Sequence, residues 1–374
     1  NYHRLRAFRS GPFGSHELQH IFKHEDFKAH PEWFALFTVR DSDISQYPLA
    51  ELVAAGGKRQ RWHWDHGNGW QICTSNPETV QHAVAYAHEY FAKNPESPIV
   101  SMGHNDGNGW CECPKCIKFA NSIDPPYTIS ERYWYWVNQV AKELAKTHPD
   151  KRITTIAYGV PAMPPRFSLE NNVSVTVTVY RNGHVPLTQK WKEKCDSVDL
   201  YSYAYGWFFV GFRHYPHAMR DFLKWGRDEL RALSHYSEVY GNWSFDGPKY
   251  HYMHALMWNV DTDPDKLMQE YCNDWFGAAA GPMKAFWDKL EQIYERRGHP
   301  RRILFYQWLG WVESHDEFDL YTLDDVAALD HSIAESEQQA GTDADHFRVA
   351  RVADAWKYYR TFLLGKLKYC DQQN

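Results

Sequence analysis

The chain has 374 residues, 43% hydrophobic and 24% charged, which is enough for one large domain or two ordinary ones of soluble globular composition. The net charge is −6, and Lys and Arg are scattered, so the basic footprint of a nucleic-acid binder is absent; no run of about 18 apolar residues supplies a membrane span. With 16% aromatic residues, including 17 Trp and 24 Tyr, the chain carries more flat rings than a core requires, which suits stacking against sugars or bases.

The sequence opens on Asn1 with no leader-like segment and is read as a mature form or a fragment. "HELQH" (His16–His20) fits the H-E-x-x-H pattern of zinc peptidases, with two histidine ligands and a glutamate base on one helical face. No third-ligand extension follows, Pro12 and Gly14 precede it, and it lies outside the regular pattern downstream, so a metallopeptidase is a remote alternative.

From residue 70 onward strands and helices alternate. "WQICTSN" (70–76) reads as a strand, and Asn76 caps the helix "PETVQHAVAYAHEYFAKNP". "SPIVSMGHND" is the next strand. "ISERYWYWVNQVAKELAKTHPD" is a long amphipathic helix with Ser130 as its expected cap. "RITTIAYG" and "NVSVTVTVY" (172–180) are strands, the second being the clearest β-branched run in the chain. "PLTQKWKEKCDS", "HAMRDFLKWGRDELRAL" and "KYHYMHALMWN" are helices, separated by the strands "VDLYSYAY" and "SHYSEVYGN". From about residue 265 the chain is almost wholly helical.

Such alternation argues for parallel strands in βαβ units, and five or six units favour an α/β fold of the (β/α)8 TIM-barrel type over a short open sheet. The barrel is read as spanning residues 1–295, either complete or short of its first strand, with a helical extension over 296–374 packed on it. No G-x-G-x-x-G phosphate loop supports a doubly wound sheet. Polar residues recur at the strand C-termini, where barrel active sites form: Asn76, Asn105-Asp106, Tyr180-Arg181, Tyr203, Tyr205 and Glu238.

Asn105 and Asp106 are candidates for a catalytic or substrate-holding pair, although Asn-Asp-Gly is also ordinary turn chemistry. Glu238, in "HYSEVYGNW", ends a strand among aromatics with no basic neighbour; such a pocket is expected to raise a carboxyl pKa, as suits a general acid. Asp246, in "SFDGPKY", reads as a turn residue. Tyr201, Tyr203 and Tyr205 alternate by two and would share one inward face; with His104, Trp110, Tyr180, Arg181, Trp207 and Trp243 they are candidates for substrate binding, while core packing takes some of the rings.

Seven cysteines are few for a disulfide scaffold. Cys111, Cys113 and Cys116 have C-x-C-x₂-C spacing and, with Cys73 or a histidine, would bind zinc structurally, form a disulfide, or stay reduced. In each case the cluster would brace the loop that carries Asn105 and Asp106. Cys195, Cys272 and Cys370 read as buried thiols. No cofactor is expected.

"HPEWFALF", "QICTSNPETV", "HNDGNGWCECPKC", "ITTIAYG" and "HALMWNVDTDPDKLMQEYCNDWFGAAAGPM" occur in the order found in proteins carrying the domain of unknown function 4838, the group that includes glycoside hydrolase family 163, and the chain resembles them over roughly residues 1–295. The resemblance implies a catalytic barrel and retaining, substrate-assisted hydrolysis of β-linked N-acetylglucosaminides in complex N-glycans, in a secreted, periplasmic or cell-surface protein. Such a reaction needs an acid and a group that orients the acetamide; Glu238 is expected as the acid and Asp106 with Asn105 as the orienting pair, the reverse assignment being the alternative. His104 stands where the family block often has Pro, the region around Glu238 is shorter than usual, and the hexosaminidase-like domain that usually precedes the barrel is not expected in this chain. Rival readings are a hydrolase of another glycan, such as an α-glucuronidase-like enzyme using Arg181, and a non-catalytic glycan-binding barrel.

Overall fold

The computed structural model describes residues 16–38, 59–61, 69–179, 184–196, 198–204, 211–239, 242–296 and 315–371. Tyr180, Arg181, Tyr205 and Trp207 lie outside the described residues, as does Cys370's side chain.

Two short helices, α1 (Leu18–Ile21) and α2 (His24–Ala29), lead into β1 (Leu36–Thr38), which pairs antiparallel with β2 (Arg59–Arg61). The expected strand over 70–76 makes only single bridges, Ile72 with Phe34 and Trp70 with Gly109. Its backbone engages the N-terminal segment instead: Ala35 N–H donates to Gln71 O at 2.9 Å and Cys73 N–H to Trp33 O at 2.7 Å.

The main sheet holds β3 (Ile99–Ser101), β4 (Arg152–Ala157), β5 (Val173–Thr178), β6 (Val198–Tyr203) and β7 (His235–Glu238), all parallel and in sequence order. Sequential parallel order is the barrel winding, but the described residues form a five-stranded arc in place of the eight-stranded ring expected. After β7 the described chain continues in helices alone.

Between and after these strands run α3 (Pro77–Lys93), α4 (Pro114–Ala120), α5 (Ile129–Ala145), α6 (His184–Lys192) and α7 (Pro216–Leu230); all but α4 pack on the arc, and α4 joins the cysteine cluster through Cys116. Asn76 caps α3 as expected, its side chain accepting from Glu78 N–H. The cap of α5 is Thr128, not Ser130: Thr128 and Glu131 form a reciprocal capping box, and Ser130, already in the first turn, donates to Met163 O at 2.6 Å.

Helix α8 (Trp243–Trp258) begins six residues before the run "KYHYMHALMWN". Gly247-Pro248 reads as a break, yet the proline falls within the first two turns, where it removes a single backbone bond. Asp246 is therefore helical, not a turn residue, and its buried carboxylate meets the buried Lys249 ammonium one turn later at 2.6 Å. Helices α9 (Pro264–Phe276), α10 (Ala280–Glu295), α11 (Leu323–Gln339) and α12 (Asp343–Asp371) complete the described chain. Trp356 and Tyr359 of α12 pack against Phe212, so these helices share the core that backs the strands.

Alternation along the strands divides the sheet. Val100, Ile153, Ala157, Val173, Val175, Val177, Val198 and Leu200 join the large core shared with the helices. The intervening positions carry Thr154, Ile156, Ser174, Thr176, Thr178, Asp199, Tyr201 and Tyr203. Helix-covered parallel strands ordinarily read as continuous apolar runs on both faces; here the face turned away from the large core carries hydroxyls, rings and a carboxyl instead, and it is taken as the inner face of the arc.

Candidate functional site

Period two fixes what shares the inner face. On β6, Tyr201 and Tyr203 point the same way, with ring centroids 5.3 Å apart. Tyr236 and Glu238 share that face on β7: the Tyr201 and Tyr236 rings lie 4.8 Å apart, and the Tyr201 hydroxyl donates to Glu238 Oε1. Burial, then the Tyr203 phenol, then the carboxylate itself push the Tyr201 pKa upward, so this phenol stays protonated and is the donor. Glu238 is half-buried, with Tyr201, Tyr203 and Tyr236 beside it. On β4, Ile156 packs with Tyr201 and Tyr203, and Tyr158, one step past the strand, packs against them.

Tyr158 links this cluster to the end of β3. Its ring stacks over His104 with centroids 6.3 Å apart and planes 10° from parallel. His104 is buried, edge-on to Tyr133 at 5.3 Å and tilted against Trp110 at 5.5 Å. Its Nδ1 lies 2.9 Å from Asn105 O; a carbonyl only accepts, so Nδ1 carries the proton. Nε2 is then a buried lone pair without a hydrogen-bond partner. Burial pushes the His104 pKa from 6.5 down to about 4, keeping the ring neutral.

The loop after β3 is held from the side. Asn105 is fully buried; its Nδ2 donates to Trp70 O at 2.9 Å, while Gln71 Nε2 reaches Asn105 O at 2.7 Å and Gly107 O at 3.2 Å. Gly107 adopts φ +145°, and a Cβ there would lie 2.5 Å from Gly69 Cα, so the turn admits only glycine. These bonds give Asn105 a loop-holding task. Asp106, the next residue, is exposed and makes no hydrogen bond or ion pair among the described residues.

Most of the expected site residues among those described thus fall into two groups. His104, Asn105 and Asp106 gather at the end of β3; Tyr203 and Glu238 gather at the ends of β6 and β7; Tyr158 bridges them. Trp110 is 4% exposed and packed into the core, so it offers no open face for a sugar. Trp243, 45% exposed, belongs elsewhere: it stacks on Trp275 with centroids 6.1 Å apart, in a cleft of about 330 Å³ that Tyr271, Phe347 and Arg348 help to line. Tyr158 and Tyr236 were not singled out by sequence reasoning. The signal was present, since Tyr158 lies two positions beyond Ile156 and Tyr236 two before Glu238.

"HELQH" does not form a peptidase helix. Helix α1 begins at Leu18, leaving His16 and Glu17 outside it, with His16 at φ 53°. His16 Nδ1 faces the His104 carbonyl at 3.1 Å, and Glu17 accepts from the Tyr86 hydroxyl at 2.6 Å.

Two groups of side chains among the described residues have metal-like spacing. His30, Glu32 and Glu78 are solvent-accessible, and Glu78 already accepts from Trp33 Nε1 at 2.7 Å. The second group is Cys73, Cys111, Cys113 and Cys116, all buried and all unbridged.

A parallel strand arc with a polar, aromatic inner face places the chain among the α/β half-barrel proteins. The family model described as "Domain of unknown function (DUF4838)" matches residues 2–288, and the chain belongs to that family. No curated protein matches. Among solved structures it is similar to one described as a "GH138 enzyme targeting pectin rhamnogalacturonan II", at 10% identity and a TM-score of 0.44. That similarity covers 77% of this chain and 51% of the other, so the chain spans about half of that protein's length.

Proposed function

We propose that the chain is the catalytic part of a glycoside hydrolase that cleaves β-linked N-acetylglucosaminides of the N-glycan type with retention. The observation that carries this reading is Glu238: a half-buried carboxyl at the C-terminal end of a parallel strand, held by the Tyr201 hydroxyl and flanked by tyrosine rings on the inner face. Tyrosine rings suit the apolar faces of a pyranose, and a carboxyl among them suits the glycosidic oxygen.

In this reading the substrate's own 2-acetamido oxygen attacks the anomeric carbon as the glycosidic bond breaks. Glu238 passes its proton to the departing oxygen. Water then opens the cyclic intermediate with Glu238 as base, which restores the original configuration. Asp106, exposed on the loop held by Asn105, orients the acetamide nitrogen. The substrate is an oligosaccharide, met outside the cell or at its surface, and residues 296–374 serve as a helical extension to a catalytic unit ending near 295.

Leaving-group dependence tests the roles. An activated aryl leaving group departs with little protonation, so Glu238→Gln should lose about 10²–10⁴ in rate on glycan while sparing an aryl N-acetylglucosaminide far more. Asp106→Asn should impair both substrates, because formation of the cyclic intermediate suffers whatever leaves. Exchanged patterns would reverse the roles and keep the mechanism. Two folded variants with near wild-type activity on glycan would remove the hydrolase assignment and favour glycan binding without catalysis.

A further inference from the structure

We propose that Cys73, Cys111, Cys113 and Cys116 form a closed, structural tetrathiolate site that takes zinc. Cys113 caps α4 and Cys116 lies in its first turn, so the Cys-Pro-Lys-Cys step presents both sulfurs at one helix start. Cys111 arrives from the end of the loop after β3, and Cys73 from the segment that pairs with residues 33–35. Two stretches distant in sequence therefore deliver one thiol and three thiols to a single buried point.

The spacing is that of a coordination shell. All four sulfurs lie within 4.8 Å of one another, and Cys73 Sγ is 3.7 Å from both Cys113 Sγ and Cys116 Sγ. A regular tetrahedron with zinc–sulfur bonds of about 2.3 Å has edges of about 3.8 Å. A disulfide would hold a pair at about 2.05 Å.

The surroundings suit thiolates. Leu36 N–H points at Cys111 Sγ at 3.4 Å, Cys116 N–H at Cys113 Sγ at 3.4 Å, and the Ser75 hydroxyl lies 3.0 Å from Cys116 Sγ. Donors aimed at the sulfurs are what an outer shell supplies to metal-bound thiolates.

Arg132 is an independent sign. It is 5% exposed, its guanidinium donates to Cys111 O at 2.8 Å, its Nε has no partner, and no carboxylate pairs with it among the described residues. A buried cation needs an anion, and zinc with four thiolates carries a net charge of −2. Each thiol gives up its proton on binding. Four sulfur ligands leave no open position, so the metal does no chemistry.

What the site holds is the loop carrying Asp106. Trp70 and Gln71, three and two residues before Cys73, make the bonds that fix Asn105 and Gly107, and Cys111 closes the far end of the same loop. The inference stands without the glycosidase reading, because metal content is read without substrate.

The test is elemental analysis of the whole chain, purified without added metal. Roughly one zinc per chain is expected, released by a mercurial thiol reagent, with cobalt exchange giving the visible bands of a tetrahedral thiolate. Cys113→Ser should lose the metal and Cys272→Ser should keep it. Strong chelation should lower Tm by more than about 5 °C and speed amide exchange at residues 70–76 and 103–116. A folded wild-type chain that is metal-free, with these four thiols open to alkylation or joined as disulfides, would overturn the proposal. Stoichiometric iron in place of zinc would overturn the choice of metal.

Discussion

Acidification should destabilise this protein through its buried histidines, and His104 is the one at the candidate site. The His104 ring is buried against Trp110, Tyr133 and Tyr158, and its folded pKa of about 4 lies below the ordinary 6.5. Between those values the unfolded chain binds a proton that the folded chain does not. Stability from this group is therefore complete above 6.5 and is lost as pH falls toward 4. Between about pH 7.5 and about pH 5 the loss is roughly 2 kcal/mol from this one ring. Glu131 and Asp325, whose pKa values are lowered below 4.5 and 3.8 despite the opposing pull of burial, chiefly by Arg166 and Arg296, lose their stabilisation only at lower pH. His217, raised by Glu291, has the opposite sign: its stabilisation is present below 6.5 and fades as pH rises. Both terms cancel when wild type is compared with His104→Gln. Urea unfolding of the two chains at the two pH values is the measurement. The variant starts less stable but should lose about 2 kcal/mol less on acidification. Equal losses would mean that His104 is not held neutral in the fold, and the burial argument would fail.

Two further outcomes follow from packing. Gly107→Ala places a Cβ against the Gly69 backbone at an unfavourable φ, so it should lower Tm and displace the Asp106 loop, read as faster amide exchange there; an unchanged Tm would sink the argument. Asp246→Ala leaves the buried Lys249 ammonium without its counter-charge and should cost roughly 3–5 kcal/mol in urea unfolding, whereas Asp246→Leu with Lys249→Met should restore most of it.

Much of the strand layout was legible because alternation is a local signal. The valines of "NVSVTVTVY" face the helices, and β5 runs Val173–Thr178 within the expected bounds. Alternation gives parity but not face: it groups Tyr201 with Tyr203 and Tyr236 with Glu238, while only the assembled sheet says which set looks inward. Features closed by distant segments were not legible. The stretch 70–76 has strand composition, yet its backbone pairs with residues 33–35, and nothing local reports that. The Asp246–Lys249 pair was hidden behind Gly247-Pro248, which punctuates a sequence more strongly than it interrupted this helix. For the cysteines, spacing gave three ligands and left zinc, disulfide and reduced thiols open. The 3.7 Å sulfur separations and the buried guanidinium of Arg132 support the zinc proposal, and the separations depend on Cys73, 38 residues before Cys111 in the chain, having been brought to the cluster.

The two ends of the inner face are anchored by different chemistry. At the β3 end the backbone after His104 is irregular, so side chains do the holding: Gln71 and Asn105 bond to carbonyls, and the four thiols meet where the segments on both sides come together. At the β7 end the ladder persists one residue beyond the strands, with Ala204 N–H donating to Glu238 O at 2.9 Å. Lys249, buried in α8, then donates to Ala204 O at 3.1 Å. Burial raises the Asp246 pKa even against the Lys249 charge, so the carboxylate is costly to keep ionised there. Two apolar side chains would fill the same space without that penalty, but neither could hold the Ala204 carbonyl. The buried pair therefore sets the height of the strand lip that carries Glu238. In the Asp246→Leu, Lys249→Met double variant this predicts recovered stability without full recovery of turnover.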